Sequence, residues 1–402
     1  MSEPRRMIGA TEALSLVVDH ARPLPPVEVE TEHAAGLLLA AAVVADRDYP
    51  PFDRSVMDGF AVRLAHRGRA VPIIGEARPG VALGASPTDD GCVEIMTGSP
   101  CPPGTEAVVM KEEVARHGAI ATFPAKISPG QNIVRRGTER AEGGVVLPEG
   151  AELTPLALAL LATVGRTRVT ARRAPSVALL VTGDEIVSGD RAPGAVEIRD
   201  SNGPMLAAMA RALGVSSLSV STVRDTREAL ASALDASSAA DVVVLTGGVS
   251  AGNYDLVPGA LAAHGAVEVF HKVSQQPGKP ILFATRGARL FFGLPGTPLG
   301  CHLGFHRYVS AAVRAMFGRA ATRAEGHGRL TCAWSTSSER RQFVLARVAP
   351  EGAAWSVTPL APRGSSDLWS ACGANAYVNM PEGSRELRAG SVVTFDWLEG
   401  QR

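Results

Sequence analysis

Residues 241–255 read DVVVLTGGVSAGNYD, an apolar run that ends in two glycines, a serine, another glycine and an acid. The run is short and apolar at successive positions, as a strand covered on both faces of a parallel sheet must be. A plain connection needs fewer small residues than follow it. A loop whose backbone lies against an anion needs about this many.

On either side of this stretch, from about residue 174 to 318, strands and helices alternate. VALLV, LSVSTV, DVVVL, VEVF, ILFA and RLFFG read as strands; SNGPMLAAMARALG, TREALASALDASSA, LVPGALAAHG and TPLGCHLGFHRYVSAAVRAMFG read as helices. The alternation predicts a doubly wound, mostly parallel α/β sheet with helices on both faces. Further upstream, residues 47–141 carry short β-like runs (VPIIG, CVEIM, AVVM, AIATF) between Pro- and Gly-rich turns, and predict a β-rich insert domain. Residues 1–46 read as a helix with Ala13, Leu14, Val17, Val18 and Ala21 on one face, then an extended PPVEVE, then a second short helix over AAGLLLAAAV. At ELTPLALALLATVG, Thr154 is placed to cap a helix that Pro155 opens. Residues 1–46 and 142–173 are therefore expected to form one discontinuous linking domain. The last segment, 327–402, has short strands at near-regular spacing and predicts a small C-terminal β-barrel.

The α/β domain locates the chemistry. In open α/β sheets ligands bind beyond the carboxyl ends of the parallel strands. Four such ends carry unusual sequences here: TGDE with Asp184 and Glu185, RDTRE with Arg224 and Asp225, GGVSAGNYD with Gly247, Gly248, Ser250 and Asp255, and LPGTP opening a helix at Thr297–Pro298. Taken singly each has a plainer reading. Asp225 and Glu228 have capping-box spacing, Asp255 fits a turn or cap, and LPGTP fits a tight turn. Together, glycine-rich backbone and a helix start suit phosphate, whereas carboxylates in the same crevice repel it. A divalent cation between them resolves the conflict, and Mg2+ is the usual choice with phosphate oxygens. In HKVSQQPGKPILFA, flanking prolines fix the turn that carries Lys279. An ammonium about 4 Å from an oxyanion contributes on the order of 4 kcal/mol of Coulomb energy near a protein surface.

The β-rich insert adds Asp53 and Asp58 in FDRSVMDGFAV, Thr97 and Gly98 in EIMTGSPCPPG, and Arg135, Arg136 and Glu139 in SPGQNIVRRGTE. These turns alone read as structural. Other classes find little support. Forty basic and forty acidic residues cancel, which argues against a nucleic-acid or membrane-surface partner. No stretch approaches the roughly twenty apolar residues of a membrane span, and the N-terminus lacks the apolar core of a signal peptide. The five cysteines are odd in number and lack CxxC spacing, the pattern of reduced thiols in a cytoplasmic protein. The nine histidines show no metal-ligand spacing. Neither a G-x-S-x-G elbow nor a P-loop is present.

With these residues in view, the chain resembles the molybdopterin molybdenumtransferase family, which includes the E domain of gephyrin. The resemblance runs through FDRSVMDGFAV, EIMTGSPCPPGTEAVVM, GQNIVRRG, LLVTGDEIV, DSNGPML, VRDTREAL, LTGGVSAGNYD, QQPGKP, FGLPGTP and RGSSDLWSACGANAYVNMPEG, in the family's order. It implies an L-shaped subunit of four domains and a homodimer with shared active sites, in which the β-rich domain of one subunit faces the α/β domain of the other. It also implies the reaction of adenylylated molybdopterin with molybdate, assisted by Mg2+, to give molybdenum cofactor and AMP. By motif, Asp58, Asp225 and Asp255 are the catalytic acids, with Asp58 and Thr97 on the β-domain side of the cleft. Glu185, Asp225 and Asp255 organise Mg2+, and Gly247, Gly248 and Ser250 line the substrate. Lys279 and Ser366 hold molybdate, with Ser365 beside them and Arg340 a looser match. A molybdopterin adenylyltransferase and molybdoenzymes are the implied partners.

Three motifs depart from the family's pattern. RRGTE stands for RRGED, which places Glu139 where an aspartate is usual. Thr297 and Gly300 replace an asparagine and a serine, and Gln276 replaces a frequent lysine. Weaker molybdate binding, or a different oxyanion such as tungstate, would follow from these changes. Two other readings share the fold or the family. One is the adenylylation step, whose enzymes lack the extra β-rich and barrel domains; the other is a non-enzymatic scaffold, against which the intact acids and Lys279 argue.

Overall fold

A computed structural model describes residues 7–82, 84–249, 256–336, 338–380, 382–383 and 385–400. The chain divides into two compact units, one of Met1–Val27, Gly36–Leu38 and Arg172–Arg402, the other of Glu28–Ala35 and Leu39–Ala171. No helix among the described residues is long and apolar enough to cross a membrane.

In the first unit the apolar run at 242–246 is a central strand of a six-stranded sheet. The order is Leu218–Val223, Val177–Thr182, Val242–Thr246, Arg289–Leu294, Leu282–Arg286 and Val267–His271. The first four strands are mutually parallel; the fifth pairs antiparallel with the fourth, and the sixth antiparallel with the fifth. Alternation of side chains across each strand explains why these runs are apolar throughout. Val242 and Val244 join Leu179, Phe283 and Phe292 on one face, where the helix Asn202–Ala212 contributes Leu206 and Ala210. Val243 and Leu245 join Leu180 and Phe291 on the other, against Leu230, Leu234 and Leu261. The N-terminal helix Ala10–His20 packs Ala10, Ala13 and Val17 into the first of these cores.

The C-terminal strands close on themselves. Arg341–Glu351, Ala354–Pro359, Gly326–Leu330, Val392–Trp397 and Ala376–Met380 follow one another, and the last pairs back to the first. Closure removes the exposed edges that short strands otherwise leave. A strand from the α/β region, Val273–Gln276, adds to this barrel by parallel pairing of Gln275 with Arg341 and Gln276 with Gln342. That pairing sets the QQPGKP turn beside Arg340.

The second unit holds a six-stranded sheet in the order Ala107–Met110, Gly59–Val62, Cys92–Ile95, Ala70–Ala77, Ile120–Thr122 and Ala115–His117. Phe60, Val62, Val71, Val109 and Phe123 form its core. Outside that sheet, Val43–Val44 pairs with Val145–Leu147, and Leu39 bridges to Ala171. The helix Pro155–Thr163 begins as its sequence predicts, with Thr154 Oγ1 accepting from the Ala157 amide at 3.3 Å.

The helix expected over AAGLLLAAAV is not formed. Gly36 takes φ +77°, outside the helical region, and the chain beyond it runs extended. Leu39 and Ala40 donate their amides to Ala151 and Thr170, while Leu38 and Leu39 are buried. A run apolar at nearly every position has no polar face to turn to water, and distant extended partners took its backbone groups instead.

Candidate active site

The register of the parallel strands brings the four unusual tips to one edge. Thr182 lies opposite Val223, Val181 opposite Thr246, and Thr246 opposite Leu294. The crossing from one tip to the next is hydrogen-bonded: Thr182 Oγ1 donates to the Thr246 carbonyl at 2.9 Å, and the Gly247 amide to the Leu294 carbonyl at 3.0 Å. Gly247 has φ +89°, and a Cβ there would sit 2.9 Å from both the carbonyl oxygen and Oγ1 of Thr182. Only glycine lets the chain turn at this point. Asn202, almost wholly buried, donates through Nδ2 to the Gly296 carbonyl at 2.8 Å, while its Oδ1 is buried without a partner among the described residues. Gly247 and Gly248 lie at this edge; Ser250 and Asp255 fall outside the described residues.

Three carboxylates crowd the same edge. The Asp225 amide donates to Asp184 Oδ1 at 3.3 Å, and Arg224 Nε lies 3.8 Å from that oxygen. Burial pushes the half-buried Asp225 carboxyl above its usual range; the nearby Thr182 hydroxyl opposes this, and the charges of Asp184 and Glu185 add to the rise. Asp225 is not the helix cap that its spacing with Glu228 also allowed. Thr226 caps the helix Arg227–Ala236, its Oγ1 accepting from the Ala229 amide at 3.2 Å. Asp225 is thereby left at the crevice. Among the described residues only the exposed Glu30, Glu32 and His33 bring three ligand atoms within 4.8 Å of one another. Asp184, Glu185 and Asp225 thus form an open set. Such a set fits a Mg2+ ion that takes one or two carboxylates and completes its shell with water and phosphate oxygens.

A cleft of about 590 Å3 lies between the sheet edge and the barrel and gathers Lys279, Arg340, Ser365, Gln276, Gly296 and Thr297. Its floor is fixed by a fully buried Gln275, which donates through Nε2 to the carbonyls of Pro277 and Gly278 at 3.2 and 3.4 Å and accepts from Tyr308 Oη at 2.5 Å. Arg340 Nη1 donates to the Gln275 carbonyl at 3.4 Å, and the exposed Lys279 makes no ion pair among the described residues. Two cations, a hydroxyl and a rigid turn give an oxyanion-binding surface. Ser366 lines not this cleft but the adjoining pocket, with Arg363, Asp367 and Trp369.

The two residues of the LPGTP departure, Thr297 and Gly300, lie against each other here. A Cβ on Gly300 would approach Thr297 Oγ1 to 2.9 Å and Pro295 Cγ to 3.2 Å. The threonine hydroxyl thus stands in the space that a side chain at 300 would need.

In the second unit, Asp58 sits in a constellation of its own. Its Oδ1 accepts from both the amide and the hydroxyl of Thr97 at 2.8 Å, and Lys111 Nζ is 3.4 Å from Oδ2. The Thr97 amide, then its hydroxyl, then Lys111 hold this exposed carboxyl below its ordinary value. Asp53 accepts from Arg135 Nη1 at 2.5 Å and from the Arg136 amide at 2.9 Å, and Glu139 pairs with Arg54 at 2.6 Å. The longer glutamate in RRGTE is engaged with this arginine.

Sequence reasoning named Asp58 and Thr97 but not Lys111, which follows the strand AVVM without any motif to mark it. It also passed over Asn202, although DSNGPML was noted, because nothing in that string shows which polar atom is left unpaired.

The chain is similar along its length to proteins of one kind. Three family models match it: the MoeA N-terminal region (domain I and II) over residues 8–165, the "Probable molybdopterin binding domain" over 178–315, and the MoeA C-terminal region (domain IV) over 327–397. A molybdopterin molybdenumtransferase of Staphylococcus aureus is 32% identical over 403 residues, covering 97% of this chain and 96% of that one. The protein of the same name in Staphylococcus epidermidis is 30% identical with the same coverage. Among solved structures, the molybdopterin biosynthesis MoeA protein of Pyrococcus horikoshii superposes with a TM-score of 0.83 at 26% identity, over 98% of this chain and 100% of that one.

Proposed function

The chain belongs to the molybdopterin molybdenumtransferase family and is a transferase of molybdenum cofactor biosynthesis; from that premise we propose that it converts adenylylated molybdopterin and molybdate to molybdenum cofactor and AMP. The observation that carries this reading is the cleft in which Lys279, Arg340 and Ser365 meet beside Gly296 and Thr297. It offers positive charge to a small oxyanion next to a glycine-rich strand edge suited to a pyrophosphate.

On this reading Lys279, Arg340 and Ser365 fix the molybdate, and Ser366 borders it. Gly247, Gly248 and Ser250 bring backbone and a hydroxyl to the phosphates. Glu185, Asp225 and Asp255 would hold Mg2+, which when bound neutralises charge on the anhydride. Asp58, kept ionised by Thr97 and Lys111, supplies a carboxylate ready to orient a polar substrate group. Attack of an oxygen nucleophile, water or a molybdate oxygen, on an anhydride phosphorus forms one P–O bond as the other breaks and AMP leaves, while the substrate's own dithiolene sulfurs replace oxo groups of molybdate, which depart as water. The chain's contribution is positioning and charge compensation. A cytoplasmic homodimer, in which Asp58 and Thr97 of one protomer serve the crevice of its partner, belongs to the same proposal and is supported by the family resemblance. So is exchange with an adenylyltransferase upstream and molybdoenzymes downstream.

Reconstitution of a molybdenum-free apoenzyme tests the reading. Purified protein with adenylylated molybdopterin, Mg2+ and limiting molybdate should restore activity. Lys279→Ala should need about tenfold more molybdate to do the same. No reconstitution by the unaltered protein at any molybdate concentration rejects the proposal.

A further inference from the structure

Trp369 is 93% exposed, although it is the largest apolar side chain in its segment. It stands on the short helix Leu368–Ala371, whose opposite face is anchored: Leu368 and Ala371 pack against the α/β core. Polar bonds fix the frame around it. Asp367 accepts from the Ser370 amide at 3.1 Å, the Ser370 hydroxyl at 2.7 Å and the Arg363 amide at 3.0 Å. The Leu299 amide donates to the Ser365 carbonyl at 2.9 Å, tying this loop to the helix that begins at Pro298. The ring is therefore held out by a rigid support, which limits the ordering entropy a ligand must overcome on binding it.

Trp369 lines a pocket of about 590 Å3 with Arg363, Gly364 and Ser366. Gly364 also lines the oxyanion cleft, as does Ser365 next to it. The pocket beside the indole thus adjoins, through Gly364, the cleft assigned to molybdate. We infer that Trp369 is a stacking platform for the pterin ring of the substrate. The inference rests on the proposed reaction, and the substrate's connectivity selects the ring. The dithiolene that receives the metal is joined to the pterin, whereas adenine lies beyond the pyrophosphate. The flat ring closest to the oxyanion is therefore the pterin, and an indole face is the side chain best suited to stack on it.

The test uses full-length protein, 6-hydroxymethylpterin as probe, AMP as the competing flat ring, and the variants Trp369→Ala and Trp369→Phe. Trp369→Ala should weaken pterin binding about tenfold, and Trp369→Phe should keep it within about threefold of the original. Pterin should quench the wild-type tryptophan fluorescence through Trp369, so the quench is lost in Trp369→Phe while dialysis still detects binding. Molybdate affinity should be unchanged in both variants. Unchanged pterin affinity in Trp369→Ala overturns the inference. So does AMP, rather than pterin, losing affinity, and so does a changed sedimentation coefficient with pterin binding intact, which would assign the ring to a subunit contact. Failure of the inference alone leaves wild-type AMP release in the presence of molybdate untouched; failure of the underlying reaction abolishes it.

Discussion

On the proposed reaction, Gln276 is the side chain placed to tune the cleft that takes molybdate. It lines the cleft with Lys279 and Arg340, and its Oε1 accepts from Ser338 Oγ at a long 3.4 Å. Replacing it by lysine adds a cation at the cost of a weak hydrogen bond. Gln276→Lys should tighten molybdate binding about tenfold by equilibrium dialysis, and unchanged or weaker binding would remove this turn from the oxyanion site. Asp241 anchors the start of the central strand in a different way. It forms two 2.8 Å hydrogen bonds with Arg173 and accepts from the amide and hydroxyl of Ser176, each at 2.7 Å. Burial pushes its carboxyl up, but Arg173 and Ser176 outweigh this and hold it below its ordinary value of 3.8. A depressed folded pKa means stability that is present above 3.8 and is lost as pH falls through the folded value. Asp241→Asn should cost about 2 kcal/mol in urea unfolding at pH 7, with the difference from wild type closing in acid. A difference independent of pH would show that the charge is not what matters there.

Elements became legible where local chemistry and the global fold agreed. Thr154–Pro155 starts a helix both by sequence and in space, and the short apolar run at 242–246, read as a strand covered on both faces, is one. AAGLLLAAAV misled because its composition favours a helix while its backbone partners lie more than a hundred residues away, at Ala151 and Thr170. The tip after the central strand gives the sharpest test of an element. Gly247→Ala imposes an unfavourable φ and a contact with Thr182, and should lower stability by about 2–3 kcal/mol. It should also displace the loop carrying Gly248 and so raise the Km for the adenylylated substrate. A variant as stable as wild type would mean that the strand edge adjusts freely, contrary to the close packing described.

At the scale of the whole molecule, much of the site was legible because strand ends in a doubly wound sheet must share an edge. That rule placed Glu185, Asp225 and Gly247 together before any distance was known. The cleft around Lys279 was less accessible to sequence reasoning. Its walls come from a barrel strand and from a loop at 360–365, brought there by the pairing of Gln275 and Gln276 with Arg341 and Gln342. The exchange between Thr297 and Gly300, and the exposure of Trp369, depend on space and solvent, which spacing along the chain does not encode.

The proposed reaction needs an oxyanion held by Lys279, Arg340 and Ser365 beside an anhydride at the strand tips. Its most direct test is AMP release from adenylylated molybdopterin by the purified protein with Mg2+, measured with and without molybdate. Release that rises with molybdate and is lost in Asp225→Asn is the predicted result. Release at the same rate without molybdate, or none in its presence, would contradict the account.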